Sequence, residues 1–163
     1  MLTFRILHKK YGDALFAPGI EGRWNSAGKK VLYCSESIPL AFMESMIRRQ
    51  GVGFNDDFQI AFIEIPDSAA ITHVSLTELE DGWNSPLNYL QCQKLANKWY
   101  DGMETLVLQV PSAVLSICSN YVINTLHPDF NKVKLIKLTP LIPDARIDEL
   151  LKPHLNPLKR GGL

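Results

Sequence analysis

The chain has 163 residues, 46% hydrophobic and 21% charged, and its 17 Lys+Arg balance 17 Asp+Glu. That length supports one domain with its own core, without metal or disulfide staples. Zero formal net charge argues against a basic nucleic-acid surface, no apolar run reaches the roughly 18 residues of a membrane-spanning helix, and three cysteines without C-x-x-C spacing argue against a zinc site or disulfide framework.

The opening residues Met1–Arg5 lack the long apolar stretch of a signal peptide, so the cytoplasm is the expected compartment. Thr3 to Leu7 reads as a strand. Gly12 to Lys30, with Gly12, Pro18, Gly19, Gly22 and Gly28, reads as an irregular loop. Val31 to Cys34 is a compact strand. Ser37 caps a predicted helix that starts at Ile38-Pro39, runs to about Arg49 and stops near Gly51. Residues 54 to 58 read as a polar connection, Ile60 to Ile65 as a strand ended by Pro66, and Ile71 to Val74 as another. After a turn at Gly82–Pro86, Ser85 and Pro86 begin a predicted helix through about Trp99, which Asp101-Gly102 breaks. Thr105 to Val110 is apolar enough for a strand buried on both faces. A loop with Asn120, Asn124, His127 and Pro128 is expected next, then an edge strand Val133–Leu138 and a last helix capped by Asp144 through Leu151. The sum is an α+β domain over residues 1–153, a mostly antiparallel sheet with packed helices, and a frayed tail at 154–163.

Arg23, Tyr33, Glu44 and Ser112 stand where a polar side chain is costly unless it has a partner or a functional role. Glu44 is i+4 from Leu40 and so shares the apolar stripe Leu40, Met43, Ile47; its structural alternative is an i,i+4 salt bridge with Arg48. Arg23 offers a guanidinium fork beside Gly22, which would let a ligand approach the backbone. Tyr33 is a strand tyrosine whose hydroxyl needs a partner. Ser112 follows a buried strand and Pro111; no G-x-S-x-G surrounds it, so it does not read as a hydrolase nucleophile. His8, His73, His127 and His154 show no metal-ligand spacing, and only His127, before Pro128-Asp129-Phe130, has suggestive company.

In order, the motifs Phe4-Arg5-Ile6, Gly22-Arg23-Trp24-Asn25, strand Tyr33, Ala41-Phe42-Met43-Glu44, Val110-Pro111-Ser112, and Asn120-Tyr121-Val122-Ile123-Asn124 leading to His127–Phe130 resemble the RES-domain family, the toxin component of bacterial toxin–antitoxin pairs. Glu21, where the family commonly has glycine, and Thr125, where it often has proline, depart from the pattern. The resemblance implies a fold similar to ADP-ribosyltransferases and an enzyme that consumes NAD, with inorganic phosphate as a candidate co-substrate and no resident cofactor. It implies a helix-turn-helix antitoxin of the Xre type that blocks the active site, and a homodimer within that complex. Arg23 would hold the phosphates, Tyr33 would stack on or bond the nicotinamide side, and Glu44 would hydrogen-bond ribose or stabilise the oxocarbenium ion. Ser112, with Asn120 as a second candidate, would bond ribose or phosphate. Against hydrolysis or phosphorolysis of NAD stand three alternatives: a protein mono-ADP-ribosyltransferase, a nuclease or RNA-binding toxin, and an inactive antitoxin-binding module.

Overall fold

A computed structural model describes residues 1–12, 14–50 and 53–151; the predicted tail 154–163 and the helix stop at Gly51 lie outside them. Alternating apolar residues produce the paired strands β1 (Leu2–His8) and β3 (Phe58–Glu64). Five further strands follow: β2 (Val31–Ser35), β4 (Ile71–His73), β5 (Val107–Pro111), β6 (Ser119–Asn124) and β7 (Lys134–Pro140). They form one sheet in the order β4-β5-β6-β2-β1-β3-β7, antiparallel at every step except β4–β5. The expected α+β class and mostly antiparallel sheet are what the chain adopts, and β7 is an edge strand as its alternation predicts.

The ladder is uneven. β1 and β3 pair over seven positions and β2 and β6 over five, whereas β1 and β2 share only Phe4 opposite Ser35. Beyond that pair the two strands part in mid-sheet.

Helix α1 (Ile38–Arg48) starts as predicted: Ser37 Oγ accepts from the Leu40 N–H, Pro39 sits in the first turn, and Gln50 turns left-handed (φ 54°) just past the end. It packs on β1 and β2 through Ala41, with Ile6, Phe54, Phe58 and Ile60 beneath. Helix α2 (Leu90–Gly102) buries Cys92, Ala96 and Trp99 against Trp24, Leu108, Val110 and Val122. The opposite sheet face buries Leu32, Ala61, Ile63, Val107 and Ile123 under Ala17 of the long loop and Phe130. Helix α3 (Ala145–Leu151) is capped by Asp144, whose carboxylate accepts from the Arg146 N–H.

Several expectations are corrected. The region around Asn120 and Asn124 is strand β6, because both asparagines find partners for their side chains and the residues between them are buried. Helix α2 starts at Leu90 rather than Ser85, and residues 82–88 form successive turns. Their carbonyls point at Arg23 instead of along a helix axis. Helix α2 also runs through Gly102, and the left-handed Met103 (φ 53°) ends it. On α1 the buried residues are Leu40, Ala41 and Ser45, whereas Ile47 is 65% exposed, so the stripe is rotated from the one expected. Residues 54–58 are not wholly polar: Phe54 is buried against Phe42 and Phe58.

Candidate active site

Three neighbouring strands and one helix place a carboxylate. Val110 faces Asn120 across β5–β6, and Asn120 faces Ser35 across β6–β2, so Ser112, Asn120 and Ser35 gather at one end of the sheet. Helix α1, launched directly from β2 through the Ser37 cap, lowers Glu44 onto them. Glu44 Oε1 accepts from Ser112 Oγ at 2.7 Å and from Asn120 Nδ2 at 2.5 Å. Ser35 Oγ donates to Asn120 Oδ1 at 2.7 Å and fixes the amide's orientation. No ion pair joins Glu44 to Arg48 among the described residues, and Glu44 Oε2 accepts no hydrogen bond among them. Glu44 is thus a partly exposed carboxylate held by one oxygen and open at the other.

Ser112 differs from its expected role. It is fully buried, and its Oγ also accepts from the N–H groups of Val114 and Leu115 at 3.1 and 3.0 Å. It has no capacity left for ribose or phosphate; it positions Glu44. Asn120 does the same. Ser35 was missed by sequence reasoning, although its place two residues after Tyr33, on the same face of β2, is the signal that could have found it.

Arg23 and Tyr33 belong to an adjoining network. Residues Gly22 and Asn25 form a two-residue bridge. The buried Asn25 amide donates to the carbonyls of Ile20, Ser26 and Lys29, and its Oδ1 accepts from the Tyr33 hydroxyl at 2.7 Å. The same hydroxyl accepts from the Trp24 N–H at 3.0 Å. A Cβ on Gly22 would stand 2.8 Å from the Tyr33 hydroxyl, so this glycine makes room for a tyrosine rather than for a ligand. Burial pushes the Tyr33 phenol far above its usual value; the bond from Trp24 and the charges of Arg48 and Arg23 pull the other way. Tyr33 therefore stays neutral with its hydroxyl committed.

Arg23 corrects the expectation of a free phosphate fork. Its Nη1 donates to the carbonyls of Trp83 and Ser85, and its Nη2 donates to those of Asn84 and Ser85 at 3.0 and 3.2 Å. The guanidinium carbon lies 4.6 Å from the Tyr89 ring centre and 5.9 Å from that of Trp83. Arg23 is the clamp that shapes the 83–88 turns.

A hollow of about 460 Å³ is lined by Glu21, Pro86, Leu87, Tyr89, Leu90 and Gln93. Glu44 does not line it. Glu21, the hollow's carboxylate, accepts from Gln93 Nε2 at 2.9 Å, and that amide also bonds the Gly22 carbonyl. Glu21 thereby reaches the rim of the hollow without disturbing the bridge. At the other departure, Thr125 donates both its hydroxyl and its N–H to the Lys30 carbonyl, so the change affects a turn. His127 is structural: its Nδ1 caps the 3₁₀ turn Pro128–Lys132 by accepting from the Asp129 N–H. The three cysteines are free thiols, and no group of three or more metal-ligating side chains occurs among the described residues. No helix among them is long and apolar enough to cross a membrane.

Comparison with known proteins agrees with the motif order. The RES domain model matches residues 3–146. A protein named Toxin Res from Pseudomonas putida is 30% identical over 151 residues, covering 90% of this chain and 99% of its own. A Toxin Res from Photorhabdus laumondii is 25% identical, covering 90% and 97%. A Sphingobium protein named Prs ADP-ribosylating toxin is 27% identical, covering 77% and 80%. By a match that runs through every motif of the site, the chain belongs to the RES domain family.

Proposed function

We propose that this protein is the toxin of a toxin–antitoxin pair and that it cleaves the nicotinamide–ribose bond of NAD, passing ADP-ribose to water or inorganic phosphate. The observation that carries the reading is the Glu44 carboxylate, anchored through Oε1 by Ser112 and Asn120 with Oε2 open. Cleavage breaks the bond between the anomeric carbon and the pyridinium nitrogen. The electron pair leaves with nicotinamide, which departs neutral and needs no proton. The positive charge passes to the ribose as an oxocarbenium ion. A preorganised carboxylate stabilises that charge without having to reorient during the reaction, and its open oxygen accepts a ribose hydroxyl. The Tyr33 ring would supply a stacking face for nicotinamide, and Arg23 holds the 83–88 turns in place. Water or phosphate attacks the anomeric carbon; the water proton leaves to solvent.

A protein acceptor is the second reading, favoured by the Sphingobium relative whose name describes an ADP-ribosylating toxin. The partner expected in either case is a helix-turn-helix antitoxin of the Xre type that closes over Glu44. The test is incubation of partner-free protein with NAD, with and without phosphate, with products resolved by mass. Free nicotinamide with ADP-ribose identifies hydrolysis, phosphorylated ADP-ribose identifies phosphorolysis, and free nicotinamide with the ADP-ribose carried on a supplied protein identifies transfer. Intact NAD with no labelled acceptor contradicts both readings.

A further inference from the structure

The hollow beside the start of α2 offers two acceptor oxygens that no donor serves. Gln93 lines it and is only 6% exposed. Three acceptors fix the orientation of its amide. Nε2 donates to Glu21 Oε1 and the Gly22 carbonyl at 2.9 Å each, and to the Asn25 carbonyl at 3.4 Å. The atom left over is Gln93 Oε1, which accepts no hydrogen bond among the described residues. A buried amide oxygen is seldom left without a donor, because its desolvation is then uncompensated. The second oxygen of Glu21 is also unused, and no cation pairs with this carboxylate among the described residues. Arg23 does not answer it: both its terminal nitrogens are on the carbonyls of residues 83–85, and its guanidinium lies over the Tyr89 ring. Beside these oxygens stand Leu87, 95% exposed, and Leu90, 71% exposed.

A ligand that fits brings N–H donors and positive charge at its tip, on an apolar stem. An arginine side chain has both. Its planar fork can serve two oxygens held on different residues, where an ammonium is a point charge. Its methylenes pack on leucine while its head stays on the carboxylate. Residues flanking that arginine in a protein would cover leucine surface that a free cation leaves wet.

We propose that the hollow lined by Glu21, Leu87, Leu90 and Gln93 is a docking site for an arginine side chain of a protein partner, its guanidinium shared between Glu21 and Gln93 Oε1. Glu44 does not line the hollow, so docking there is independent of the NAD reading. The full chain is titrated with the peptide acetyl-Leu-Arg-Leu-amide and followed by amide NMR. The peptide is expected to shift the backbone amides of residues 20–22 and 87–93. The same peptide with citrulline, which keeps the shape and removes the charge, is expected to bind at least about tenfold more weakly, the scale of a lost charge-assisted bond. Glu21→Gln should cost the same factor; Glu21 is exposed and glutamine still accepts from Gln93, so this variant folds. Leu87→Ser, also at an exposed position, should weaken the peptide and leave acetyl-arginine amide unchanged. No shift in those segments, equal affinity for the citrulline peptide, or full affinity in Glu21→Gln overturns the docking site. Equal affinity for the peptide and for acetyl-arginine amide overturns the protein partner in favour of a small cation.

Discussion

Every hydrogen bond of the Ser112 hydroxyl is made within the protein. Its hydroxyl proton goes to Glu44 and its lone pairs take two backbone N–H groups, so removing it loosens the carboxylate and leaves two buried donors unpaired. Ser112→Ala should lower kcat for NAD cleavage about tenfold with little change in KM, and cost about 1–2 kcal/mol of stability by thermal denaturation. Because it acts through Glu44, adding it to Glu44→Gln should cost little further activity. A full additional loss in the double variant would give Ser112 an independent role. The residue types of the site were legible in the sequence, since each stands where a polar group needs a reason. Their partners were not. Nothing in the spacing says that Gly22 yields to Tyr33, that Tyr33 commits its hydroxyl to Asn25, or that Ser112 faces Glu44, because each pair is brought together by strand register and not by neighbourhood in the chain.

Among the elements, the 83–88 turns and β6 carry the lesson that tertiary contacts outrank local preference. Asn120 and Asn124 are poor strand residues, yet both lie in β6. Asn120 bonds Glu44, and the fully buried Asn124 donates to the Tyr100 carbonyl near the end of α2. Ser85-Pro86 is a sound helix start by sequence, yet Arg23 draws the surrounding carbonyls into turns and α2 begins later. The strands β1, β2, β3 and β7 and helices α1 and α3 were legible because capping, alternation and burial agreed there. The clamp makes a specific prediction. A lysine at position 23 has one nitrogen and cannot serve several coplanar carbonyls. Arg23→Lys should therefore speed amide hydrogen exchange across residues 82–89 at least about tenfold while leaving β3 and β7 unchanged, a local opening on the scale of a lost charged hydrogen bond. Unchanged exchange in that segment would show that the turns hold themselves.

For the molecule as a whole, stability should fall in alkali through two buried acids. Burial raises the Cys34 thiol from 9.0 to about 11, and it also raises the Tyr33 phenol. A raised pKa means that the unfolded chain releases its proton first. The stability from the neutral thiol is intact below pH 9 and is lost as the pH rises through about 11. Melting temperature should therefore drop between pH 9 and 11, and Cys34→Ala should flatten that drop, which amounts to about 3 kcal/mol at most. Parallel profiles for the two proteins would show that Cys34 ionises as freely when folded as when unfolded.

Strands β2, β5 and β6 and helix α1 converge on one carboxylate, so the most direct measurement is nicotinamide release at saturating NAD by wild type and by Glu44→Gln. Glutamine keeps the shape and removes the charge. The account predicts release slowed at least about 100-fold with folding unchanged, the mark of an electrostatic contact made in the transition state. Equal rates in the two proteins would contradict it.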